Sequence, residues 1–391
     1  MEISADRILV THVGSLPRPD DLLDLLRAEE QGGSHDVAAL RTRVTSAVAQ
    51  SVARQIDAGI DVVSDGEMSK IAYTVYVKHR LDGTGPLKPG QDPGPPAAVG
   101  RDLIDHPDYL DRINAAQRYW VQNYVRPYCV GPVVYGDRGP LERDVANLHA
   151  AVEPTKPVEA FMNAASPGIL TRFVPDAYYR HEDTYVAALA DAMKTEYEAI
   201  VAAGYLLQID SPDLGTSRHH QYQDLDDAAF LKIAERNVEA LNHATENIPA
   251  DRMRLHICWG NYEGPHTHDI ALAKMLPVCM KARPQGFLFE GANPRHEHEW
   301  EDLVNAPIPD DKVLIPGVVD STSNFVEHPL LIAQRLRRYA DIVGRERVIA
   351  STDCGFGTFA SNEPPVAESV VWSKLRALAE GARLASATLW A

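Results

Sequence analysis

Residues 182–210 read EDTYVAALADAMKTEYEAIVAAGYLLQID, and this stretch decides the fold class. Its first part carries apolar residues at helical spacing and ends at Gly204, which suits a helix C-cap. Its last part, LLQID at 206–210, is a short apolar run typical of a buried strand. Residues 36–65 repeat the same order of helix, glycine and strand. This alternation of helix and strand is typical of a parallel α/β sheet.

The alternation of strands and helices extends over almost the whole chain. A (β/α)8 TIM barrel needs eight strands, and 391 residues suffice for one such barrel with insertions. We therefore predict a single catalytic barrel over residues 1–391, with an insertion near residues 80–128. Nine runs compete for the eight strand positions, and we regard 130–135 as the doubtful one, part of the insertion. The nine runs are ILVTHV at 8–13, IDVVSD at 60–65, VGPVVY at 130–135, VEAFMNA at 158–164, LLQID at 206–210, RLHIC at 254–258, GFLFE at 286–290, VLIPGVV at 313–319 and RVIAST at 347–352.

One segment interrupts this alternation of strands and helices. It spans residues 82–100 and reads DGTGPLKPGQDPGPPAAVG. The segment is so rich in glycine and proline that we expect neither helix nor strand in it. It is either a linker between domains or a long loop. No independent core pattern follows before about residue 128, so we favour a loop with a helical excursion over the mouth of the barrel. Loops of this length in compact domains tend to be functional.

The composition excludes several classes of function. The net charge is −17 and no run rich in Lys and Arg occurs, so we expect no nucleic-acid partner. No stretch approaches 18 consecutive apolar residues, and the first residues lack the pattern of a signal peptide. We therefore expect a cytoplasmic protein that has no membrane partner and acts on small molecules. Assembly into a homo-oligomer is left open.

The sharpest local signal is His256 with Cys258, at the end of a predicted strand. Side chains two residues apart in a strand point the same way, and the carboxyl ends of barrel strands form the active face. Glu290 closes a later strand, and Cys354 follows the last one. One His, two Cys and one Glu are ligands typical of tetrahedral zinc. We therefore predict a Zn2+ site from these four residues.

Cysteines have a simpler interpretation, which has to be weighed for each of them. A single cysteine is more often a small buried apolar residue than a ligand. Cys129 and Cys279 are examples, since neither has a neighbour that suits a metal and Cys279 lies in a predicted helix. The wide spacing of all four cysteines also argues against a disulfide framework in a reducing cytosol.

The charge of the predicted site indicates its chemistry. Two thiolates and one carboxylate exceed the charge of a divalent zinc by one, so this metal would be a poor generator of hydroxide. A small substrate thiol could still lose its proton at the metal and attack an alkyl carbon. The sequence therefore favours alkyl transfer to a thiol over hydrolysis.

These motifs resemble those of the catalytic barrel of cobalamin-independent methionine synthase. They occur in the order seen in that family and cover nearly the whole chain, and the spacing of the metal set is the most specific part. The matching segments are THVGSLPR at 11–18, SDGE at 64–67, YCVGPVVYGD at 128–137, QIDSPDL at 208–214, HIC at 256–258, FE at 289–290, GVVD at 317–320 and DCG at 353–355.

The resemblance implies the roles of several residues. It implies that zinc is held by the four residues named above and is joined by a substrate thiolate such as that of homocysteine. It implies that Glu67 and Asp210 meet the amino group of homocysteine, and that Val13, Gly14 and Ser15 meet its carboxylate end. On its own, an acidic residue at a strand end is a helix cap or a solvated group about half the time.

The chain departs from the family pattern at two positions. The family has a proton-delivering His where this chain has Thr322, in the segment that begins at the catalytic candidate Asp320. A loop histidine could replace it, and His219 is our candidate. The tryptophan expected near the folate pterin aligns with Phe173. These departures leave the identity of the alkyl donor open, while the length of the chain matches the short, single-barrel members.

Two other functions compete with methyl transfer. The related epoxyalkane:coenzyme M transferases use a zinc-bound thiolate to attack an epoxide, which would require a cation such as Arg18, Arg218 or Arg295 for the sulfonate. A zinc-stabilised binding protein without catalysis is the other alternative. It is disfavoured because structural zinc usually binds closely spaced cysteine pairs, whereas these ligands lie on separate strands.

Overall fold

The structure, a computed structural model, describes residues 1–32, 36–92, 99–115, 124–361 and 364–391. Within these ranges the chain forms ten strands, of which all but β3 and β4 belong to one barrel. The strands are β1 (Leu9–Val10), β2 (Val62–Ser64), β3 (Leu81–Gly85), β4 (Tyr128–Tyr135), β5 (Glu159–Ala165), β6 (Leu206–Asp210), β7 (Met253–His256), β8 (Gly286–Phe289), β9 (Val313–Pro316) and β10 (Ile349–Ala350).

The eight barrel strands are parallel and close into a ring. Strands β2, β5, β6, β7, β8 and β9 pair in that order, and β1 pairs with β10. A parallel bridge between Gly317 and Ser351 connects the β9 and β10 segments. The backbone N–H of Asp61 donates to the carbonyl of Val10 at 2.9 Å and connects the β1 and β2 segments. The predicted (β/α)8 barrel is confirmed, whereas its extent as one domain over residues 1–391 stays a prediction.

Helices surround the barrel, and local signals set their ends. Asp36 caps the second helix by accepting hydrogen bonds from the backbone N–H groups of Ala38 and Ala39. Gly59 and Gly204 end the two long predicted helices at positive φ, as their sequences predicted. The helices are α1 (Asp20–Glu30), α2 (Val37–Asp57), α3 (Arg101–Asp105), α4 (Pro107–Ala115), α5 (Gly139–Thr155), α6 (Pro167–Phe173), α7 (Glu182–Ala202), α8 (Asp227–Ala244), α9 (Leu272–Cys279), α10 (Trp300–Val304), α11 (Pro329–Val343) and α12 (Glu368–Leu389).

The insertion contains an antiparallel hairpin outside the barrel. Strand β4 contains the doubtful run 130–135 and pairs with β3, so that run belongs to the insertion as predicted. The expectation of no strand within 82–100 was wrong for residues 82–85. Gly83 explains the difference, because it has a φ of +83° and a Cβ there would lie 2.2 Å from the carbonyl oxygen of Pro132. Residues 93–98 of the same segment lie outside the described ranges, and α3 and α4 supply the helical excursion.

The interior of the barrel contains a polar layer. Arg254 is 1% exposed and donates to Thr11 Oγ1 at 3.1 Å, to the carbonyl of His12 at 3.2 Å and to Gln208 Oε1. Its guanidinium also lies 4.0 Å above the ring of Phe161. These contacts give both terminal nitrogens of a buried cation on β7 oxygen acceptors. None of the helices in the described ranges has both the length and the apolar character needed to cross a bilayer.

Candidate metal centre

Three of the four predicted ligands converge at the carboxyl ends of two barrel strands. His256 ends β7, Cys258 follows two residues later, and Cys354 follows β10. One ligand atom from each of the three side chains lies within 4.8 Å of the other two. All three residues are buried.

The geometry of this cluster fits a divalent metal with soft ligands. The Sγ atoms of Cys258 and Cys354 are 3.8 Å apart, and two zinc–sulfur bonds at a tetrahedral angle would separate them by about 3.8 Å. The Nδ1–H of His256 donates to Asp210 Oδ1 at 3.0 Å, whereas its buried Nε2 has no hydrogen-bond partner among the described residues. A carboxylate behind one imidazole nitrogen is the usual arrangement when the other nitrogen ligates a metal.

Proton affinities within the cluster favour a thiolate at Cys354 beside a protonated imidazole at His256. The hydrogen bond from Cys258 and the neighbouring imidazole of His256 lower the pKa of Cys354 to about 6, although burial opposes this. Burial would lower the pKa of His256, but the hydrogen bond to Asp210 and the neighbouring thiolate of Cys354 raise it to about 10. The cluster thus already favours a thiolate, which is the form that binds metals.

Glu290, the fourth predicted ligand, lies beside the cluster but outside the group of three. It follows β8 and accepts hydrogen bonds from the backbone N–H of Trp259 at 2.8 Å and from Asn293 Nδ2 at 2.7 Å. Asp353 holds the same loop by accepting from the N–H groups of Gly291, Ala292 and Asn293. Both carboxylate oxygens of Glu290 are therefore oriented by protein donors.

An acidic pair lies next to the cluster. Glu67 has a φ of +57°, which is uncommon for a residue other than glycine and marks a strained position. Its buried Oε2 accepts no hydrogen bond from the part of the chain that the structure describes. Burial raises the pKa of Glu67 to about 7, although Lys70 and Arg18 oppose the shift. Asp210 accepts from Asn163 Nδ2 at 2.9 Å in addition to His256.

The predicted substrate segment at Val13, Gly14 and Ser15 packs against Asn163, which donates to Asp210. The carbonyl of Val13 accepts from Asn163 Nδ2 at 2.9 Å. A Cβ on Gly14 would lie 2.2 Å from Asn163, and a Cβ on Gly355 would lie 2.0 Å from Ser15 Oγ. The two glycines therefore allow the segment after β1 to contact both Asn163 and the loop that carries Cys354.

The guanidinium of Arg18 donates its hydrogen bonds to backbone carbonyls. Its side chain is fully buried and donates to the carbonyls of Leu16, Gly357, Glu67 and Lys70. Its Nη2 also lies 3.6 Å from Glu67 Oε2. The observed contacts of Arg18 hold together the loops that carry the substrate segment and the acidic pair.

Residues 100–370 match the family model of the cobalamin-independent synthase catalytic domain. The chain belongs to this family. The resemblance seen in its motifs is thereby confirmed.

Relatives of this cobalamin-independent synthase chain include methionine synthases and a lyase that acts on a coenzyme M compound. A methionine synthase from Saccharolobus solfataricus is 23% identical over 381 residues, which cover 96% of this chain and 93% of the relative. A 2-hydroxypropyl-CoM lyase from Xanthobacter autotrophicus is 24% identical over 381 residues, covering 90% and 88%. The solved B12-independent methionine synthase from a Shewanella species, in complex with selenomethionine, has a TM-score of 0.71 at 20% identity and covers 98% and 99%. This last likeness shows a shared fold.

The two catalytic candidates of this synthase-family chain lie in different surroundings. Asp320 is partly exposed and accepts hydrogen bonds from the N–H and Oγ1 of Thr322, both at 2.9 Å. His219 is fully buried, and its Nδ1 lies 3.1 Å from Asp269 Oδ1. Neither ring nitrogen of His219 makes a hydrogen bond in the described structure. Asp269 also contacts the rings of His266 at 2.9 Å and His296 at 3.0 Å.

Several residues of the site were not found from the sequence. Asn163 links the substrate segment to Asp210, Trp259 orients Glu290, and Asp353 holds the loop after β8. The only signal for Asn163 was an amide within an otherwise apolar strand. The two cysteines regarded as structural, Cys129 and Cys279, are buried, and burial raises the pKa of each to about 12.

Proposed function

We propose that this protein is a zinc-dependent thiol S-alkyltransferase that transfers a methyl group to homocysteine. The observation that carries the proposal is the convergence of His256, Cys258 and Cys354, with their ligand atoms within 4.8 Å of one another. Glu290 is the proposed fourth ligand. The names of the methionine synthase relatives support the choice of reaction.

The donor set is suited to activating a thiol. Bound zinc would lower the pKa of a substrate thiol, which is otherwise about 8.5, and so favour the thiolate at neutral pH. Asp210 fixes the ring of His256 through Nδ1 and leaves Nε2 for the metal. Trp259, fully buried, holds Glu290 through its backbone N–H and helps to exclude water from this side of the site.

The acidic pair is proposed to recognise the substrate ammonium. In the described structure Glu67 Oε2 faces Arg18 Nη2 at 3.6 Å but makes no hydrogen bond. A buried acceptor without a hydrogen bond gains from a charged N–H donor. Asp210 supplies the second negative charge. The carboxylate end of homocysteine is proposed to meet the segment from Val13 to Ser15. In this orientation the thiol points towards the cysteine pair.

Proton delivery in this protein requires a residue other than the histidine found in the family. Thr322 replaces the expected donor, and Asp320 binds Thr322 rather than an imidazole. We assign His219 as the proposed acid because its Nδ1 lies 3.1 Å from Asp269 Oδ1, while its Nε2 has no hydrogen-bond partner in the described structure. Asp320 is proposed to order the loop that carries Thr322.

A second candidate reaction is the addition of a zinc-bound thiolate to an epoxide. Whole-length similarity to a 2-hydroxypropyl-CoM lyase favours it. Of the cations named for a sulfonate, Arg18 donates to four carbonyls and Arg218 pairs with Asp227 at 2.9 Å. Arg295 is exposed. The acidic pair also disfavours an anionic thiol, so methyl transfer is preferred.

The remaining assignments follow from the reaction. A cytoplasmic location, zinc as cofactor, and a small thiol and an alkyl donor as partners are proposed, with no nucleic-acid or membrane partner. Assembly into a homo-oligomer is left to measurement.

The test is an assay of zinc-loaded protein with two thiols, homocysteine and coenzyme M. Each thiol is combined with methyl donors, including methyltetrahydrofolate and a methylated corrinoid, and with epoxypropane. Formation of methionine is expected. Formation of only 2-hydroxypropyl-coenzyme M would replace the first candidate by the second, and no zinc-dependent consumption of either thiol would reject both.

A further inference from the structure

A second group of side chains that can ligate a metal lies where the insertion meets the barrel. One ligand atom from each of Asp102, His266 and Asp269 lies within 4.8 Å of the other two. Asp102 belongs to α3, whereas His266 and Asp269 belong to the loop between β7 and α9. The group shares no residue with the candidate metal centre and contains no cysteine. Any metal bound by it has nitrogen and oxygen ligands alone.

His266 presents one ring nitrogen to a carboxylate. Its Nε2–H donates to the carbonyl of Tyr262 at 3.0 Å, which leaves the lone pair of the neutral ring on Nδ1. This Nδ1 lies 2.9 Å from Asp269 Oδ2. Two such acceptors are stable side by side only when they share a cation, which is either a proton or a metal ion. Two ligand atoms that are each about 2.1 Å from one metal, at a right angle, are about 3.0 Å apart, so the spacing suits a shared metal.

Asp102 is a fully buried carboxylate that three donors orient. Its Oδ1 accepts from the backbone N–H of Thr267 at 2.9 Å and from Thr267 Oγ1 at 2.7 Å, and its Oδ2 accepts from the hydroxyl of Tyr262 at 3.0 Å. Hydrogen bonds of this kind hold ligating carboxylates in place, and Oδ2 keeps one lone pair for a metal. Asp102 and Asp269 are two negative groups held close together, which favours a cation between them.

His219 is a fully buried imidazole that faces this group. Its Nδ1 lies 3.1 Å from Asp269 Oδ1, and neither ring nitrogen makes a hydrogen bond with the described residues. Asp269 Oδ1 also has no hydrogen bond within the described part of the chain. Buried polar atoms without hydrogen bonds are costly, so these atoms indicate a ligand that contacts them. The N–H of Arg101 donates to the carbonyl of His219 at 2.8 Å and anchors this residue beside α3.

We propose that Asp102, His266 and Asp269 bind a second divalent transition-metal ion, and that His219 completes its coordination through Nδ1. Imidazole and carboxylate ligands suit ions such as Zn2+, Fe2+ and Mn2+. The ion is structural, because it joins α3 of the insertion to the loops after β6 and β7. Since the site has no thiolate, it binds zinc more weakly than the cysteine pair does, and the candidate metal centre fills first. His219 keeps its ring proton on Nε2, the nitrogen that its proposed role as an acid requires.

The test titrates Co2+ into the metal-free full chain and follows the absorption spectrum. Cobalt bound by thiolates gives intense sulfur-to-metal charge-transfer bands, whereas cobalt bound by nitrogen and oxygen gives only weak d–d bands. Two equivalents should bind, the first with charge transfer and the second without it. Asp102→Asn and His266→Gln should each lower the affinity for the second equivalent at least about tenfold and leave the first unchanged. Asp105→Asn is the matched control, since this partly exposed carboxylate on the same helix contacts His268.

Two results would overturn the proposal. Binding of one equivalent only would assign the contact between His266 and Asp269 to a shared proton. A second equivalent that binds equally well to Asp102→Asn, His266→Gln and the parent protein would be adventitious. If one of these variants does not fold, as judged by circular dichroism, the other provides the same comparison, and His219→Gln provides a third. Cys354→Ser should lose the charge-transfer bands and retain the second equivalent, so failure of the thiolate centre and failure of this site are distinguishable.

Discussion

The Sγ atoms of Cys258 and Cys354 lie 3.8 Å apart, although 96 residues separate them in the chain. They meet because β7 and β10 are parallel, so that the segments after both strands emerge on the same face of the barrel. His256 completes the group from the end of β7.

Loss of either cysteine should remove the metal. Cys258→Ser and Cys354→Ser should each lower zinc affinity at least about 100-fold, and Asp210→Asn should lower it about 10- to 100-fold by releasing the ring of His256. Metal analysis after dialysis measures this. Cys279→Ser is the matched control, since that buried cysteine lies in α9 away from the cluster. Stoichiometric zinc in both cysteine variants would show that the site is elsewhere.

Recognition of the ammonium should depend on pH. Glu67 has its pKa raised to about 7 by burial, so the free site gains its carboxylate as the pH rises through 7. The affinity for homocysteine relative to 4-mercaptobutyrate, which lacks the amino group, should therefore increase from pH 6 to pH 8. Glu67→Gln should flatten this ratio and weaken homocysteine binding about 10- to 100-fold, which corresponds to ~1.5–3 kcal/mol. A ratio that is flat in the parent protein would contradict the role of Glu67.

Gly355 should tolerate no side chain. A Cβ at this position would lie 2.0 Å from Ser15 Oγ and would displace the loop that carries Cys354. Gly355→Ala should therefore weaken zinc binding at least about tenfold, because small displacements of ligands are costly. Gly131→Ala is the matched control, since its Cβ would meet only an ordinary contact at 3.7 Å. Equal zinc affinity in the two variants would rule out this packing constraint.

A buried ionic group should stabilise the junction between the barrel and the insertion. Arg80 lies 2.5 Å from Asp144 Oδ2 and 2.9 Å from Glu196 Oε1, and Tyr76 and Tyr135 also donate to Glu196. Arg80→Met leaves two buried carboxylates without their cation, so the free energy of unfolding should fall by about 3–5 kcal/mol.

Urea denaturation measures this loss of stability. The control is Arg383→Met on α12, which breaks only an exposed pair with Glu380 and should leave the midpoint unchanged. If both variants unfold at the same urea concentration as the parent protein, the ionic group does not stabilise the junction.

The barrel could be predicted from the sequence because its signals are local. Apolar runs, helical spacing and the glycines at 59 and 204 each act within a few residues, and all are seen in the structure. The hairpin strand β3 could not be predicted, because Gly83 forms a strand through close approach to Pro132, about fifty residues later.

The placement of the candidate ligands could be predicted where these residues follow strands. His256 and Cys258 share one strand end, and the parallel topology then indicates that Cys354 lies nearby. The contacts of Arg18 with four carbonyls, and the grouping of three imidazoles around Asp269, depend on loops whose paths no local pattern specifies.

The central claim is that a substrate thiol joins the metal held by His256, Cys258 and Cys354. Zinc-edge X-ray absorption of the loaded protein, with and without homocysteine, tests it most directly. We predict that the number of sulfur ligands rises from two to three and that about one proton is released at neutral pH, because a thiol with a pKa of about 8.5 must bind as thiolate. An unchanged sulfur count with no proton release would contradict the claim, even if the zinc site itself were present.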